Sequence, residues 1–266
     1  MSFCDTGSGL PVVLLHPTPL DGEFWRPLTR ELAGIRAIVP DLRGHGRSDL
    51  GKSLPAGGFA SVPSAPVLSM AQLAADILTL LDHLQVPKAV LVGCSIGGYV
   101  LLELWRRAPQ RVLGVAFVCS KPQPDSEANR IRRVETIARA QDEGVAALLD
   151  GMAQNMVAPS GRRERPEVVA EVRAQMTLTP EAVVAVQAGL AERPDSVPTV
   201  ATIRVPVLAV AGVEDTGVTA ADMEAFRAAP GGCEFHVLPG VGHFAAYEQP
   251  KKVAALLAPW LRQFEA

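Results

Sequence analysis

Ala89-Val90-Leu91-Val92-Gly93-Cys94-Ser95-Ile96-Gly97-Gly98-Tyr99 decides the reading of this 266-residue chain. Its first four residues form a short, valine-rich apolar run, as in a strand buried on both faces. A G-x-S-x-G sequence follows. Residues 99–107 then read as a helix that stops before Pro109. A serine set between strand and helix and flanked by glycines is the pattern of a sharp turn that presents a nucleophile. The composition has a steric reason. The turn forces Ser95 into a strained backbone conformation, and Gly93, Gly97 and Gly98 leave room for strand and helix to pass. Backbone N–H groups and the helix dipole favour negative charge at that point.

Outward from the turn, short apolar runs alternate with longer amphipathic ones, the sign of a parallel sheet covered by helices on both faces. Val12–Leu15, Ile35–Val39, Val112–Val118, Val205–Val210 and Cys233–Leu238 read as further strands, and Met70–Leu84 and Val253–Phe264 as helices. From about Lys121 to Thr202 no strand pattern occurs. Helical patterns at Asn129–Gln141, Val145–Asn155, Pro166–Gln175 and Pro180–Leu190 predict an all-helical cap of residues 121–202, inserted into an α/β core made of 1–120 and 203–266. Such an insertion is expected over the C-terminal edge of the sheet, where open α/β sheets bind ligands. Gly51–Ser69, rich in Gly, Pro, Ser and Ala, reads as a surface connection long enough to be mobile or to line the site.

A serine hydroxyl needs a base. Of the five histidines, His243 lies in Gly240-Val241-Gly242-His243-Phe244, just past the last strand and so on the same sheet edge as Ser95. The base in turn needs a carboxylate to hold its tautomer. The strand ending at Val210 runs into Ala211-Gly212-Val213-Glu214-Asp215, which offers Asp215 with Glu214 as its rival. Developing negative charge on a substrate carbonyl oxygen needs two N–H donors. Ile96 N–H is one. The other comes from His16-Pro17-Thr18-Pro19, where the prolines have no N–H, leaving Thr18 as the donor among residues 17–19.

Composition excludes several classes. Net charge is −3, with 48% hydrophobic and 20% charged residues, and no basic stripe points to nucleic acid. No apolar run approaches the roughly 20 residues that span a bilayer. Cys4, Cys94, Cys119 and Cys233 form no C-x-x-C pair, so neither a zinc site nor a disulfide framework is suggested. Residues 1–11 lack the basic-then-apolar pattern of a secretory leader. A cytoplasmic location is expected, as a monomer or homodimer, with no cofactor, metal or membrane partner.

Taken together, Leu14-Leu15-His16-Pro17, the run from Pro40 to Asp49 (Pro-Asp-Leu-Arg-Gly-His-Gly-Arg-Ser-Asp), the Ser95 turn, Asp215 and Gly242-His243 resemble the α/β-hydrolase superfamily in order and spacing, over nearly the whole chain. Within it the chain looks like small capped esterases and enol-lactonases. The resemblance implies a mostly parallel sheet of about seven to eight strands under a helical cap. Three departures stand out. His16-Pro17 replaces the usual His-Gly. The short segment before Val12 predicts that the family's first antiparallel strand is missing. Thr219 stands where a proline commonly follows the acid.

The expected activity is cleavage of a carboxylic ester or lactone by Ser95, His243 and Asp215 through an acyl-enzyme, failing below about pH 6 as the imidazole protonates. The same residues suit C–C bond hydrolysis or perhydrolysis, and a slow-turnover hydrolase-like receptor is the alternative outside enzymology. Trp25, Met152, Met156 and Phe244 are candidate pocket residues, with packing the competing role. His16 and His45 read as structural groups near the site. Cys94 reads as a small hydrophobe behind the turn. Arg130, Arg132, Arg133, Arg162, Arg163 and Arg165 read as a solvated face, or else as a carboxylate-binding cluster.

Overall fold

A computed structural model describes residues 1–51 and 66–265. The connection expected at Gly51–Ser69 lies, for 52–65, outside the described residues. Seven strands form one sheet: β1 (Phe3–Gly7), β2 (Leu10–Leu15), β3 (Ile35–Pro40), β4 (Ala89–Cys94), β5 (Val112–Val118), β6 (Val207–Gly212) and β7 (Cys233–Leu238). Their order is β1-β3-β2-β4-β5-β6-β7, with β1 antiparallel to β3 and every other pairing parallel.

The strands alternate between two cores because successive side chains point to opposite faces. Val13, Leu15, Leu91, Phe117 and Ala209 bury on one face with helices α1 (Met70–His83) and α2 (Ile96–Arg107). Val12, Leu14, Val90, Val92, Cys94 and Val210 bury on the other, with Trp260 of the C-terminal helix. With both faces dry, β2, β4, β5 and β6 read as nearly unbroken apolar runs, which is why the sequence exposes them so clearly.

Between β5 and β6 the described residues contain helices alone: α3 (Glu127–Asp142), α4 (Ala146–Met156), α5 (Pro159–Glu164), α6 (Val168–Ala174) and α7 (Pro180–Ala191), then a single turn at Val197–Val200. α7 is buried along Ala182–Ala191 and packs on α3. The C-terminal helix is α8 (Pro250–Leu261). No described helix is long and apolar enough to cross a membrane.

The expectation that the first antiparallel strand is missing is overturned by β1. This strand has no buried residue, so it lacks the alternation that marks a half-buried strand. Backbone pairing with β3 and a cross-strand ion pair hold it at the edge: Arg36 donates to Asp5 at 2.6 Å.

Topology places the site. After β2 the chain moves to β3 on one side, then returns to β4 on the other side of β2. The loops leaving β2 and β4 therefore diverge, and a crevice opens between them at the sheet's C-terminal edge. Leu15 pairs with Gly93, so the loop carrying Thr18 and the turn carrying Ser95 leave the sheet side by side.

Candidate active site

Ser95 sits at φ +52, ψ −116, directly before α2. A non-glycine residue there costs about 1–3 kcal/mol and persists only when its surroundings over-determine it. They do. Ser95 N–H donates to Val118 O at 3.2 Å, and its carbonyl accepts from Gly98 N–H at 3.0 Å and from the Ser120 hydroxyl at 2.9 Å. The glycines are required by close approach. A Cβ on Gly93 would lie 2.5 Å from the Gly97 carbonyl carbon, one on Gly97 would strike the Leu15 carbonyl, and one on Gly98 would strike Ser120. Although Ser95 occupies the N-cap position, its hydroxyl makes no capping hydrogen bond. The usual partner of an N-cap serine is thus unused.

His243 and Asp215 meet. His243 Nδ1 donates to Asp215 Oδ2 at 2.8 Å, and Asp215 Oδ1 accepts from Gly217 N–H at 2.8 Å and Val218 N–H at 3.0 Å. With Nδ1 donating to a carboxylate, Nε2 carries the lone pair. Burial alone would depress the imidazole; attraction to Asp215, aided by Glu248, outweighs it and raises the pKa above the ordinary value. Burial would raise Asp215, but the imidazole and its hydrogen bonds hold it below the usual carboxylate range. Glu214 turns away and accepts from Ser160 N–H at 2.9 Å. Thr219, where a proline was the family pattern, caps the next helical turn in a reciprocal capping box with Asp222.

The structure brings the Ser95 turn and the His243 loop into contact. Cys94 Sγ lies 3.6 Å from the His243 carbonyl, and Cys119 Sγ 3.5 Å from that of Gly242. Both thiols are fully buried, and burial pushes both upward, keeping them protonated and inert. No hydrogen bond joins Ser95 Oγ to His243: the structure bonds His243 to Asp215 but not to the serine.

Thr18 and Ile96 leave their N–H groups without a protein acceptor among the described residues. The Thr18 hydroxyl is fixed from behind at 3.0 Å from His45 Nε2, while His45 Nδ1 lies 3.0 Å from Arg43 O. A carbonyl can only accept, so Nδ1 carries the proton and Thr18 donates to Nε2. His16 repeats the logic: Nε2 accepts from Leu42 N–H at 2.8 Å, leaving Nδ1 to donate to Pro17 O at 3.0 Å. Burial pushes His45 down to about 4 and His16 well below its ordinary value, so both are neutral props for the loop.

Two residues carry structure that the sequence did not announce. Glu248, buried, accepts three backbone N–H groups: Ala158 at 2.8 Å, Gly242 at 3.3 Å and Phe244 at 3.1 Å. It ties the His243 loop to the helical segment, and burial raises its pKa against these hydrogen bonds. Ser120 is the other, through its bond to the Ser95 carbonyl. Neither lies in a recognisable motif; only the fold brings them to the site.

A groove of about 570 Å³ opens between α3 and α4 and descends to Asp215, Thr216, Gly217 and His243. Met152 and Met156 line it; Ser95 does not. The placement of Trp25 and Phe244 in the pocket is corrected. Both are fully buried and pack edge-on against Phe24, with centroids 4.8 and 6.0 Å away, because they fill the core beneath the site. Among the described residues no group of three or more His, Cys, Asp or Glu is gathered to hold a metal ion.

A family profile described as the alpha/beta hydrolase family matches residues 12–256, and the chain belongs to that family. The solved structure of a thermophilic esterase from Thermogutta terrifontis, with malate bound, is 34% identical and superposes with a TM-score of 0.89, covering 100% of this chain and 94% of that one. Est816, an N-acyl homoserine lactone degrading enzyme, is 31% identical at a TM-score of 0.78, covering 97% and 96%. The 3-oxoadipate enol-lactonase 2 of Acinetobacter baylyi is 30% identical over 186 residues, which are 70% of this chain and 63% of that relative.

Proposed function

We propose that this protein is a serine hydrolase of carboxylic esters or lactones. Ser95 attacks the carbonyl carbon while His243 Nε2 takes its proton. Asp215 holds the imidazole in the required tautomer and stabilises the imidazolium. Ile96 and Thr18 N–H groups receive the oxyanion. The alcohol leaves with the proton from His243, which then takes a proton from water as it attacks the acyl-enzyme, releasing the acid and restoring Ser95. The helical segment of residues 121–202 acts as the cap through which substrate enters.

One observation carries this reading. A serine is held at φ +52 with its hydroxyl unspent, on a turn that touches the loop of an Asp215-bonded imidazole. Strain of this kind is hard to explain as packing alone. The esterase and lactone-degrading relatives at 34% and 31% identity agree with it.

The test is Ser95→Ala against a short 4-nitrophenyl ester. Hydrolysis is expected to fall by at least about 10⁴-fold with the fold intact. Turnover retained in the variant overturns the mechanism. Stoichiometric fluorophosphonate labelling of Ser95 without ester turnover in the wild-type protein points instead to a receptor.

A further inference from the structure

The groove between α3 and α4 carries charge that the proposed triad does not explain. Its α3 wall presents Arg132, Thr136 and Arg139, whose spacing stacks them along one helix face. The α4 wall presents Leu148, Met152 and Met156, with Asn155 among them. Asp215 is the one carboxylate residue in the lining, and it is already bonded to His243. The result is a channel with an apolar wall and a cationic rim that ends at the proposed base.

The arginines of this segment divide by what holds them. Arg133 donates to Asp125 at 3.0 Å and to Gln187 at 2.8 Å. Arg193, buried, pairs with Asp125 at 2.8 Å, and Arg165 with Glu171 at 2.6 Å. These forks are occupied. Arg132 donates to the neutral side chain of Asn129 at 3.2 Å and, among the described residues, has no carboxylate partner. Arg139 faces Glu143 at 3.5 Å, with the side chains 51% and 61% exposed. An exposed pair of that geometry contributes little and is easily exchanged for another anion. Arg130 and Arg163 likewise have no carboxylate partner among the described residues but do not line the groove, so Arg132 and Arg139 are the loosely held arginines that face it.

We infer that Arg132 and Arg139 hold an anionic end of the substrate, so that the preferred ester or lactone carries a carboxylate separated from the reacting carbonyl by a short apolar chain. This rests on the hydrolase reading above. A guanidinium presents paired donors that match a carboxylate, and such charge-assisted bonds exceed neutral ones. Met152 and Met156 adapt to the chain between the two ends. The cationic rim also concentrates anions at the entrance, an effect that salt weakens.

The test compares mono-4-nitrophenyl glutarate with the uncharged 4-nitrophenyl pentanoate. In the wild-type enzyme kcat/KM is expected to favour the anionic ester by at least about tenfold at low salt, with the ratio falling as salt rises. In the Arg132→Gln, Arg139→Gln double variant the ratio collapses toward one. The arginines are exposed, so folding is not at stake. Glutarate, which is not cleaved, is measured separately by calorimetry and is expected to bind the wild type and not the double variant. A wild-type ratio near one, or a ratio that survives the double substitution, overturns the inference while leaving the hydrolase reading standing. If neither ester is cleaved, the hydrolase reading fails, and glutarate binding that is insensitive to the substitutions overturns the anion site as well.

Discussion

α2 and α3 are both amphipathic helices in the same chain, yet they are built for different ends. α2 follows the strained serine and buries nine residues, from Ile96 through Trp105. α3, longer by four residues at 16 against 12, buries only Ile137 and Ala140. Full burial of one large apolar side chain is worth about 1.5–3 kcal/mol, so the first helix is locked to the sheet and the second is lightly attached. Proposed chemistry therefore sits on the rigid element and substrate selection on the compliant one. Loosely packed elements open at lower free energy, which suits an entrance. Substitutions near α2 should damage activity and folding together, while those on α3 should change which substrate is preferred.

The largest expected effect lies on the rigid side. Asp215→Asn removes the carboxylate that fixes the His243 tautomer, and kcat is expected to fall by about 10³–10⁴-fold, as in triads generally. The pH profile gives the sign. The base must be neutral, and its pKa is raised, so wild-type activity is expected to decline through a midpoint above the ordinary imidazole value, about tenfold per pH unit below it. That is higher than the pH 6 expected from sequence, because the charge and hydrogen bond of Asp215 outweigh the lowering by burial. In the variant, burial is left to lower the imidazole, and the acidic limb of the residual rate should move to lower pH. A limb that stays in place would assign it to a group other than His243.

Gly97→Ala comes next. Its Cβ would strike the Leu15 carbonyl, a backbone group that cannot swing aside as the end of a flexible side chain could. Overpacking of this kind costs about 1–3 kcal/mol or more. For a chain of this size that is a melting midpoint lower by roughly 2–4 °C per kcal/mol. Ester turnover should fall in the same variant as the Ser95 turn is displaced. A stable and fully active Gly97→Ala would break the link between tight packing and catalysis.

What the sequence made legible follows the same division. β2 to β6 and the Ser95 turn could be read because burial on both faces leaves nearly unbroken apolar runs, and because glycines mark backbone contacts. Edge strand β1 could not, since four of the five residues of FCDTG are exposed, whereas the other edge strand, β7, keeps four half-buried side chains. The helices within residues 121–202 were visible as periodicity, but α5 was missed: its six residues, PSGRRE, bury nothing. Asp215 against Glu214 was a matter of one residue, resolved by the direction each side chain leaves its loop. The role of Glu248 lies in three backbone groups from separate turns, which no linear spacing encodes. Trp25 and Phe244 misled because large aromatics near a site serve the core as readily as a pocket.

The smallest effect tests the compliant side. Ser126 caps α3, its hydroxyl accepting from Asn129 N–H at 3.3 Å. That bond is long, and the helix contributes little burial, so Ser126→Ala should cost no more than about 1 kcal/mol and shift the melting midpoint by only a few degrees. The change should be local: amide exchange in Glu127–Asp142 is expected to accelerate while amides in β4 and α2 keep their protection. Because α3 supplies a groove wall and none of the reacting groups, KM for the larger esters should change more than kcat. If the amides of α2 lose protection along with those of α3, the two helices unfold as one unit, and the separation between a rigid catalytic layer and a compliant entrance does not hold.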